Sequence, residues 1–212
     1  MRPRALDLFC KAGGAAMGLW RAGFDVVGVD IEPQPNYPFH FFQADALTFP
    51  LGNADLIWAS PPCQHFTAYK RRPNHVAPRA NLIPAIRERL KGRAHVIENV
   101  PGTAAELRSP VTLCGSMFGL DVRRHRLFEA SFAIDAPPCN HQAQLPRFAQ
   151  ATNRKNLRRT VEVGVWRIPL DVQRRAMGID WMTLEELSEA IPPAYAEQIG
   201  RAALEHIRSN AA

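Results

Sequence analysis

The chain has 212 residues, 46% hydrophobic and 22% charged, which is the composition of a folded globular protein rather than a disordered or fibrous one. No apolar run approaches membrane-spanning length, and the first residues lack the apolar core of a signal peptide. We therefore expect a cytoplasmic protein whose four cysteines are free thiols. Lysine and arginine outnumber aspartate and glutamate by 26 to 20, for a net charge of +6.

The predicted elements alternate between strand and helix along the first half of the chain. Strands are expected at 4–9, 26–30, 39–43, 56–59 and 95–98, with helices at 15–22 and 81–90. This alternation predicts an α/β fold with a doubly wound, mostly parallel sheet.

The alternation stops in the second half of the chain. After a short strand at 127–128, residues 136–170 have few apolar periods and form an irregular insert. Helices are expected again at 181–189 and 194–207. We predict one domain over residues 1–212, with 136–170 as a short insert.

Positive charge is concentrated in and just after the insert. Residues 141–175 hold eight lysines and arginines against two acids, an excess equal to the net charge of the whole chain. Such a cluster suits a polyanion such as nucleic acid, because phosphate contacts release counterions. The alternative is a solvated arginine-rich surface without a partner.

The first strand and helix are joined in a layout that suits a nucleotide. Gly13-Gly14 make a tight turn that lets the backbone approach a ligand, although the GxGxxG spacing of dinucleotide enzymes is absent. Asp30 or Glu32 after the second strand could hold ribose hydroxyls, and Asp45 after the third could hold a base amino group. Each acid taken alone is more often just solvated.

A cysteine and an acid follow two strands that should be neighbours. Cys63 comes after Pro61-Pro62, just past the fourth strand, and Glu98 ends the fifth. A thiolate beside a carboxyl group suits covalent attack on an electrophilic ring that the acid protonates. By itself, Cys63 could equally be a buried structural thiol, and Glu98 a surface acid. Arg124 and Arg126 could add donors for a carbonyl or phosphate, or be only a solvated turn.

These residues resemble the cytosine-5 DNA methyltransferase family, whose motifs they match in order. The matching segments are Asp7-Leu8-Phe9 with Gly13-Gly14, Pro62-Cys63-Gln64, Glu98-Asn99-Val100, Arg124-x-Arg126 and Ala190-Ile191-Pro192-Pro193. The resemblance covers the chain from residue 4 to about residue 204, except for the insert. Because the insert is short, the chain looks like the compact members carried by bacteriophages, which have a reduced target-recognition region.

The resemblance implies a sheet of the S-adenosylmethionine-dependent methyltransferase type and a covalent mechanism. Cys63 would attack C6 of a flipped-out cytosine in DNA, while Glu98 protonates N3 and Arg126, supported by Arg124, holds O2 and the acid. C5 would then take a methyl group from S-adenosylmethionine. The target site would be short or relaxed, and the protein would act as a monomer in a bacterial cell or phage-infected host.

The resemblance also assigns the binding residues. Those expected to bind the cofactor are Asp7, Phe9, Gly13, Gly14, Asp30, Ile31, Asp45, Ala46, Pro61, Ala190 and Ile191. Those expected to bind the nucleic acid are Gln64, Thr67, Lys70, Arg71, Arg72, Arg154, Lys155, Arg158 and Arg159.

Three departures from the family pattern concern mainly the cofactor. Lys11 stands where the family has glycine, Val122 replaces a glutamine, and Ser188-Glu189 replace Gly-Asn. We hypothesise that Lys11 reaches the methionine carboxylate, or admits a cofactor with an extra anionic group.

Other interpretations of the sequence remain open. The same chemistry could act on RNA, since one branch of the family methylates tRNA, or the chain could be a catalytically silent nucleic-acid binder. A cysteine hydrolase would need His65 as its base, which is too close to Cys63 in the chain for good geometry. No metal is expected, because Cys139 and His141 offer only two ligands in the insert.

Overall fold

A seven-stranded sheet forms the centre of the molecule, in the order β3-β2-β1-β4-β5-β7-β6. The computed structural model describes residues 1–64, 66, 80–144, 148–149 and 157–211, and only the backbone of 148–149, 157–158 and 211. The strands of the sheet are β1 (Arg4–Leu8), β2 (Asp25–Asp30), β3 (His40–Gln43), β4 (Leu56–Ala59), β5 (His95–Asn99), β6 (Val111–Leu113) and β7 (Arg126–Ala130).

The central strands are apolar because helices and loops cover both faces of the sheet. All four residues of β4 are buried, and Trp58 and Ile57 have no exposed surface. Strands buried on both faces read as continuous apolar runs rather than as alternating ones. The predicted doubly wound, mostly parallel sheet is confirmed: β1 pairs in parallel with β2 and β4, as do β2 with β3 and β4 with β5.

One edge of the sheet is antiparallel. Strand β7 lies between β5 and β6 and runs against both. The sequence indicated only a fragment of β7, at 127–128, and gave no sign of β6, which has three residues. The topology also reverses between β1 and β4, which opens a crevice at the carboxyl ends of these strands.

Five α-helices lie in the described part of the chain: α1 (Gly14–Ala22), α2 (Ile83–Arg89), α3 (Leu170–Met177), α4 (Leu184–Glu189) and α5 (Pro193–Ala211). The predicted helix at 181–189 begins only at Leu184, because the Thr183 side chain and Glu186 form a capping box there. Helix α3 was not predicted. None of the described helices is both long and apolar enough to cross a membrane.

Helices α1 and α5 pack closely on one face of the sheet. Gly18 of α1 lies so near α5 that an added Cβ would collide with the carbonyl oxygen of Pro193. Tyr195, Ile199 and Ala203 of α5 are fully buried, as their spacing predicts. This packing brings the loop before α5 against the first turn of α1.

The insert has little regular structure where it is described. A short 3₁₀ turn (His141–Ala143) is followed by the two-residue strands β8 (Phe148–Ala149) and β9 (Leu157–Arg158), which pair with each other and not with the main sheet. The division into one domain with an insert at 136–170 stays a prediction.

Candidate active site

A cavity of about 580 Å³ lies at the carboxyl ends of β1, β4 and β5. Its walls come from the loop after β1, the Ser60–Gln64 segment after β4, the end of β5 and the segment around α4. Among the residues that line it are Asp7, Phe9, Lys11, Gly14, Pro61, Cys63, Gln64, Glu98, Arg126, Ala190 and Ile191. A second cavity, of about 420 Å³, lies against α5 and is lined by none of the predicted site residues.

Asn99 holds the cysteine segment against the end of β5. Its side-chain amide donates to the carbonyl of Pro61 at 2.9 Å, and its amide oxygen accepts from the backbone N–H of Val100 at 2.9 Å. Asn99 is almost completely buried, so these bonds are shielded from water. Cys63 and Glu98 therefore line one cavity, as the strand order predicts.

Glu98 is a buried acid with a basic partner. The Nε atom of Arg126 lies 3.3 Å from Glu98 Oε1, and both side chains are largely buried. Burial raises the pKa of Glu98 above its ordinary value, although Arg126 and a hydrogen bond from Ser60 act in the opposite direction. A carboxyl group in this setting keeps its proton to higher pH and can donate it to a bound base.

Cys63 is a thiol rather than a preformed thiolate. Burial raises its pKa, and the nearby Glu98 carboxylate raises it further, while Arg126 lowers it. The backbone N–H of Phe66 donates to the Cys63 carbonyl at 2.8 Å, which closes a tight turn after the cysteine. Nucleophilic attack therefore requires the thiol to lose its proton when substrate is in place.

Arg124 lies close to the cavity, but its guanidinium is hydrogen-bonded to backbone carbonyls at the end of α4. Its Nε donates to the carbonyl of Ala190 and its Nη2 to that of Ser188, each at 2.6 Å. Burial, with Arg126 nearby, lowers the pKa of Arg124 to about 9, so it stays charged at neutral pH. Unlike Arg126, it is absent from the described lining of the cavity. Its guanidinium links the end of α4 to the segment just before β7.

The loop after β1 has an unusual backbone. Phe9 and Lys11 have positive φ angles of 59° and 46°, and Gly13 has a φ of 81°. Strained backbone of this kind costs about 1–3 kcal/mol per residue and clusters at functional sites. Lys11 therefore occupies a conformation that glycine would adopt without strain.

Lys11 and Glu189, which both depart from the family pattern, lie close enough to form an ion pair. The Lys11 ammonium lies 2.7 Å from Glu32 Oε2 and 3.7 Å from Glu189 Oε2. Lys11 thus bridges the loops after β1 and β2 to the end of α4. The hypothesis that it reaches a methionine carboxylate stays a prediction, with the cofactor affinity of Lys11→Gly as its test. Val122, the third departure, is buried in an apolar cluster with Ala12 and Met177.

Part of the predicted cofactor set lies outside the described lining of the cavity: Gly13, Asp30, Ile31, Asp45 and Ala46. The carboxylate of Asp30 accepts from the backbone N–H groups of Lys11 and Glu32, at 3.1 and 3.0 Å, so it shapes the loop. Ile31 is 61% exposed next to this loop. Asp45 caps its own turn by accepting from Leu47 N at 2.8 Å.

Most of the predicted nucleic-acid contacts cannot be placed. Thr67, Lys70, Arg71, Arg72, Arg154 and Lys155 lie outside the described residues, and the side chain of Arg158 is not described. Gln64 lines the cavity. Arg159 donates to the carbonyls of Gln142 and Gln144 at 3.0 and 2.7 Å, so it supports the insert.

Several groups of this region were not predicted from the sequence. Met182, Glu186 and Gly164 also line the cavity, and they come from segments without a recognisable motif. The expectation that no metal binds considered only Cys139 and His141 as ligands. In the structure Cys114 and His125 join them, with the four ligand atoms all within 4.8 Å of one another.

Comparison with known proteins agrees with this architecture. No family model matches the chain. A type II methyltransferase, M.AgeI of Thalassovita gelatinovora, is 28% identical over 120 residues, which are 47% of this chain and 28% of that protein. The chain thus matches only about a quarter of the length of that relative.

Solved structures share the fold over nearly the whole chain. A DNA modification methyltransferase encoded within an E. coli prophage superposes with a TM-score of 0.61 at 15% identity, covering 98% of this chain and 99% of that one. The methyltransferase EhMeth of Entamoeba histolytica gives 0.59 at 11% identity, covering 98% and 99%. DNMT2 of Spodoptera frugiperda gives 0.58 at 12% identity, covering 95% and 99%.

The fold is that of the S-adenosylmethionine-dependent methyltransferases: a seven-stranded sheet with an antiparallel β7. Within this class of fold, the similarity to a type II methyltransferase agrees with the resemblance to the cytosine-5 DNA methyltransferase family.

Proposed function

We propose that this protein methylates C5 of a flipped-out cytosine in DNA, with S-adenosylmethionine as the methyl donor and Cys63 as the covalent nucleophile. The observation that carries the proposal is the meeting of Cys63, Glu98 and Arg126 in one cavity with the loop after β1. The DNA substrate is supported by the basic charge of the chain and by the type II methyltransferase among its relatives.

The cavity suits a cofactor that carries positive charge and an amino acid group. Both carboxylate oxygens of the buried Asp7 lack a hydrogen-bond partner among the described residues, and Asp7 lines the cavity. A buried orphan carboxylate is costly, so a cationic or hydrogen-donating ligand there would offset its burial. When bound, S-adenosylmethionine supplies a methyl group on a positively charged sulfur, which a carbon nucleophile can attack.

The surrounding backbone can hold the other parts of this cofactor. Gly14 opens α1 and lines the cavity, and a Cβ there would press on the Ile191 carbonyl, so the wall needs glycine. The N–H groups at the N-terminus of a helix such as α1 suit a carboxylate. The exposed side chain of Ile31 offers an apolar face for a base.

Glu98 and Arg126 would prepare the target base for attack. Glu98, whose raised pKa lets it hold a proton to higher pH than a free glutamate, would donate a proton to N3 of cytosine and leave C6 electron-poor. Arg126 would hold the O2 carbonyl while neutralising the carboxylate that Glu98 leaves behind. The base must leave its stack, because its C6 is hidden inside the duplex.

Cys63 would lose its proton to water, and its thiolate would bond to C6 as N3 is protonated, so that C5 becomes nucleophilic. C5 would take the methyl group as the bond between that group and the cofactor sulfur breaks, which leaves a neutral thioether. Water would then remove the proton at C5, the C5–C6 double bond would re-form, and the bond between C6 and sulfur would break. N3 would return its proton to Glu98, and the released Cys63 thiolate would be free for another turnover. In this scheme Asn99 positions Cys63, and Arg124 positions Arg126 and the end of α4.

A mechanism-based trap tests the proposal. Fluorine at C5 cannot leave as a proton, so duplex DNA with 5-fluorocytosine should form a covalent adduct with the wild-type protein in the presence of S-adenosylmethionine. Peptide mass spectrometry should place the adduct on Cys63, and Cys63→Ala should form none. Unmodified DNA is the matched control and should leave no stable adduct.

The same experiment separates the alternatives. A tRNA with 5-fluorocytosine that is trapped in place of the duplex would indicate an RNA methyltransferase. No adduct with either substrate, despite binding, would favour a catalytically silent binder. Bisulfite sequencing of DNA from cells that express the protein would give the target site, and a long strict recognition sequence would contradict the expectation of a short or relaxed one.

A further inference from the structure

Four metal-binding side chains from three separate segments converge outside the cavity. Cys114 follows β6, His125 directly precedes β7, and Cys139 and His141 open the insert. Their ligand atoms all lie within 4.8 Å of one another. The proposed catalytic scheme uses none of the four.

Two sulfur-to-nitrogen distances in the cluster match those of a tetrahedral metal site. Cys114 Sγ lies 3.3 Å from His141 Nε2, and Cys139 Sγ lies 3.4 Å from His125 Nε2. A tetrahedron with metal–sulfur bonds of about 2.3 Å and metal–nitrogen bonds of about 2.0–2.1 Å separates sulfur from nitrogen by roughly 3.5 Å. The two imidazole planes are inclined by 77°, so both rings can point a nitrogen at a common centre.

The surroundings of the cluster orient its ligands. The Ser116 hydroxyl donates to Cys114 Sγ at 3.3 Å and accepts from the backbone N–H of Asn140 at 3.2 Å. The Asn140 side chain in turn accepts from Ala143 N and holds the turn that carries His141. Hydrogen-bonded partners of this kind fix the orientation of metal ligands.

We propose that Cys114, His125, Cys139 and His141 bind one Zn²⁺ ion as a structural site. Two thiolates and two imidazoles in a tetrahedron are a donor set that zinc prefers, and four protein ligands leave no open position for catalysis. The site cross-links the start of the insert to the ends of β6 and β7. It thereby stabilises the turn that carries Arg124 and Arg126, between which His125 lies.

Metal analysis of the untagged, reduced protein is the first test. Wild-type protein should contain one zinc per chain by elemental mass spectrometry. Replacement of zinc by Co²⁺ should give the visible absorption of tetrahedral cobalt together with a thiolate charge-transfer band. A chelator strong enough to remove the metal should lower Tm, and added Zn²⁺ should restore it.

Variants link the metal to these residues. Cys139→Ser and His141→Gln should lose most of the zinc, while His40→Gln, an exposed histidine on β3, should keep all of it. Because a cysteine variant could fail to fold, Ser116→Ala provides a milder change. It leaves all four ligands in place and should weaken zinc affinity roughly 10–100-fold, measured by competition with a chelator.

Three results would overturn the proposal. The first is a reduced wild-type protein that neither contains zinc nor takes up Zn²⁺ or Co²⁺. The second is a zinc content that stays at one per chain in Cys139→Ser and His141→Gln. The third is a Cys114–Cys139 disulfide in freshly purified, metal-free protein.

Discussion

The acid–base behaviour of single buried carboxyl groups depends on their hydrogen-bond partners as well as on burial. Glu98 and Glu129 are both buried carboxyl groups, but their pKa values move in opposite directions. Burial dominates at Glu98 and raises its pKa. At Glu129 burial also acts upward, but the bidentate hydrogen bonds from Arg87, at 2.6 and 2.7 Å, and the N–H of Arg108 outweigh it and lower the pKa. Of these two acids, Glu98 lines the cavity and is the one that holds its proton to higher pH.

Glu98→Gln should nearly abolish methyl transfer and change how stability depends on pH. Loss of the proton donor should slow transfer by about 10²–10⁴-fold. Because the folded protein raises the pKa of Glu98, the wild type loses stability as pH rises from the unfolded pKa through the folded one. Glutamine does not ionise, so the difference in unfolding free energy between Glu98→Gln and wild type should shift in favour of the variant as pH rises above about 4, the ordinary pKa of glutamate. Urea denaturation at a series of pH values measures this difference.

Glu129→Gln is the matched control, with the opposite sign. The lowered pKa of Glu129 contributes stability that is present above the unfolded pKa and is lost as pH falls through the folded one. Its glutamine variant should therefore be most destabilised near neutral pH and least in acid. Parallel pH profiles for the two variants would contradict these pKa directions.

At the scale of elements, the site depends on how closely α1 and α5 approach. Gly18 lets α1 pack against the backbone of Pro193 and Glu197, and this contact holds the Ala190–Ile191 wall near the loop after β1. Lys11 makes a second link across the same gap, through its ion pair with Glu189. The packing of α1 on α5 and the partly exposed ion pair therefore both hold the end of α4 near the loop after β1. The packing contributes more to stability, because water screens the ion pair.

Gly18→Ala tests this junction. The new Cβ would collide with backbone atoms of α5, which cannot move aside as a side chain could. The two helices must therefore separate. We expect a loss of about 2 kcal/mol or more, which is a fall in Tm of roughly 4–8 °C. Arg21→Ala, on the exposed face of the same helix, should stay within about 0.5 kcal/mol of wild type. Calorimetry of the two variants and the wild type measures the Tm values. Equal Tm values for Gly18→Ala and Arg21→Ala would mean that the contact between α1 and α5 is not tight.

For the whole molecule, the distribution of charge predicts how the proposed binding to nucleic acid depends on salt. The chain carries a net charge of +6, and the segment 141–175 has an excess of the same size. Such binding weakens steeply with salt, because each phosphate contact releases counterions.

Salt titration of duplex binding checks this expectation. The logarithm of affinity should fall linearly with the logarithm of salt concentration, with a slope of about −0.9 for each phosphate contact. The triple variant Lys70→Ala, Arg71→Ala, Arg72→Ala should flatten the slope by at most about 2.7. Arg175 already pairs with Asp171 on α3, so Arg175→Ala is the control and should change the slope little. A slope near zero for wild type would refute phosphate-dominated binding.

The sequence alone was enough to predict the parallel half of the fold and the centre of the site. Buried parallel strands must be apolar throughout, so the limits of β4 follow from its apolar run. The ends of neighbouring parallel strands meet at one edge of a sheet, so the positions of Cys63 and Glu98 in the chain predict that they lie close together. The order of the motifs then indicates the family.

Contacts between distant segments could be known only from the tertiary structure. No local pattern in the chain indicates that β7 is inserted antiparallel between β5 and β6. Nor does any local pattern indicate that Arg124 hydrogen-bonds to the end of α4 or that Lys11 pairs with Glu189. The same holds for the Cys₂His₂ cluster, since Cys114 and His141 are 27 residues apart. Local periodicity reports what an element buries, but which side chains meet across elements is decided by packing.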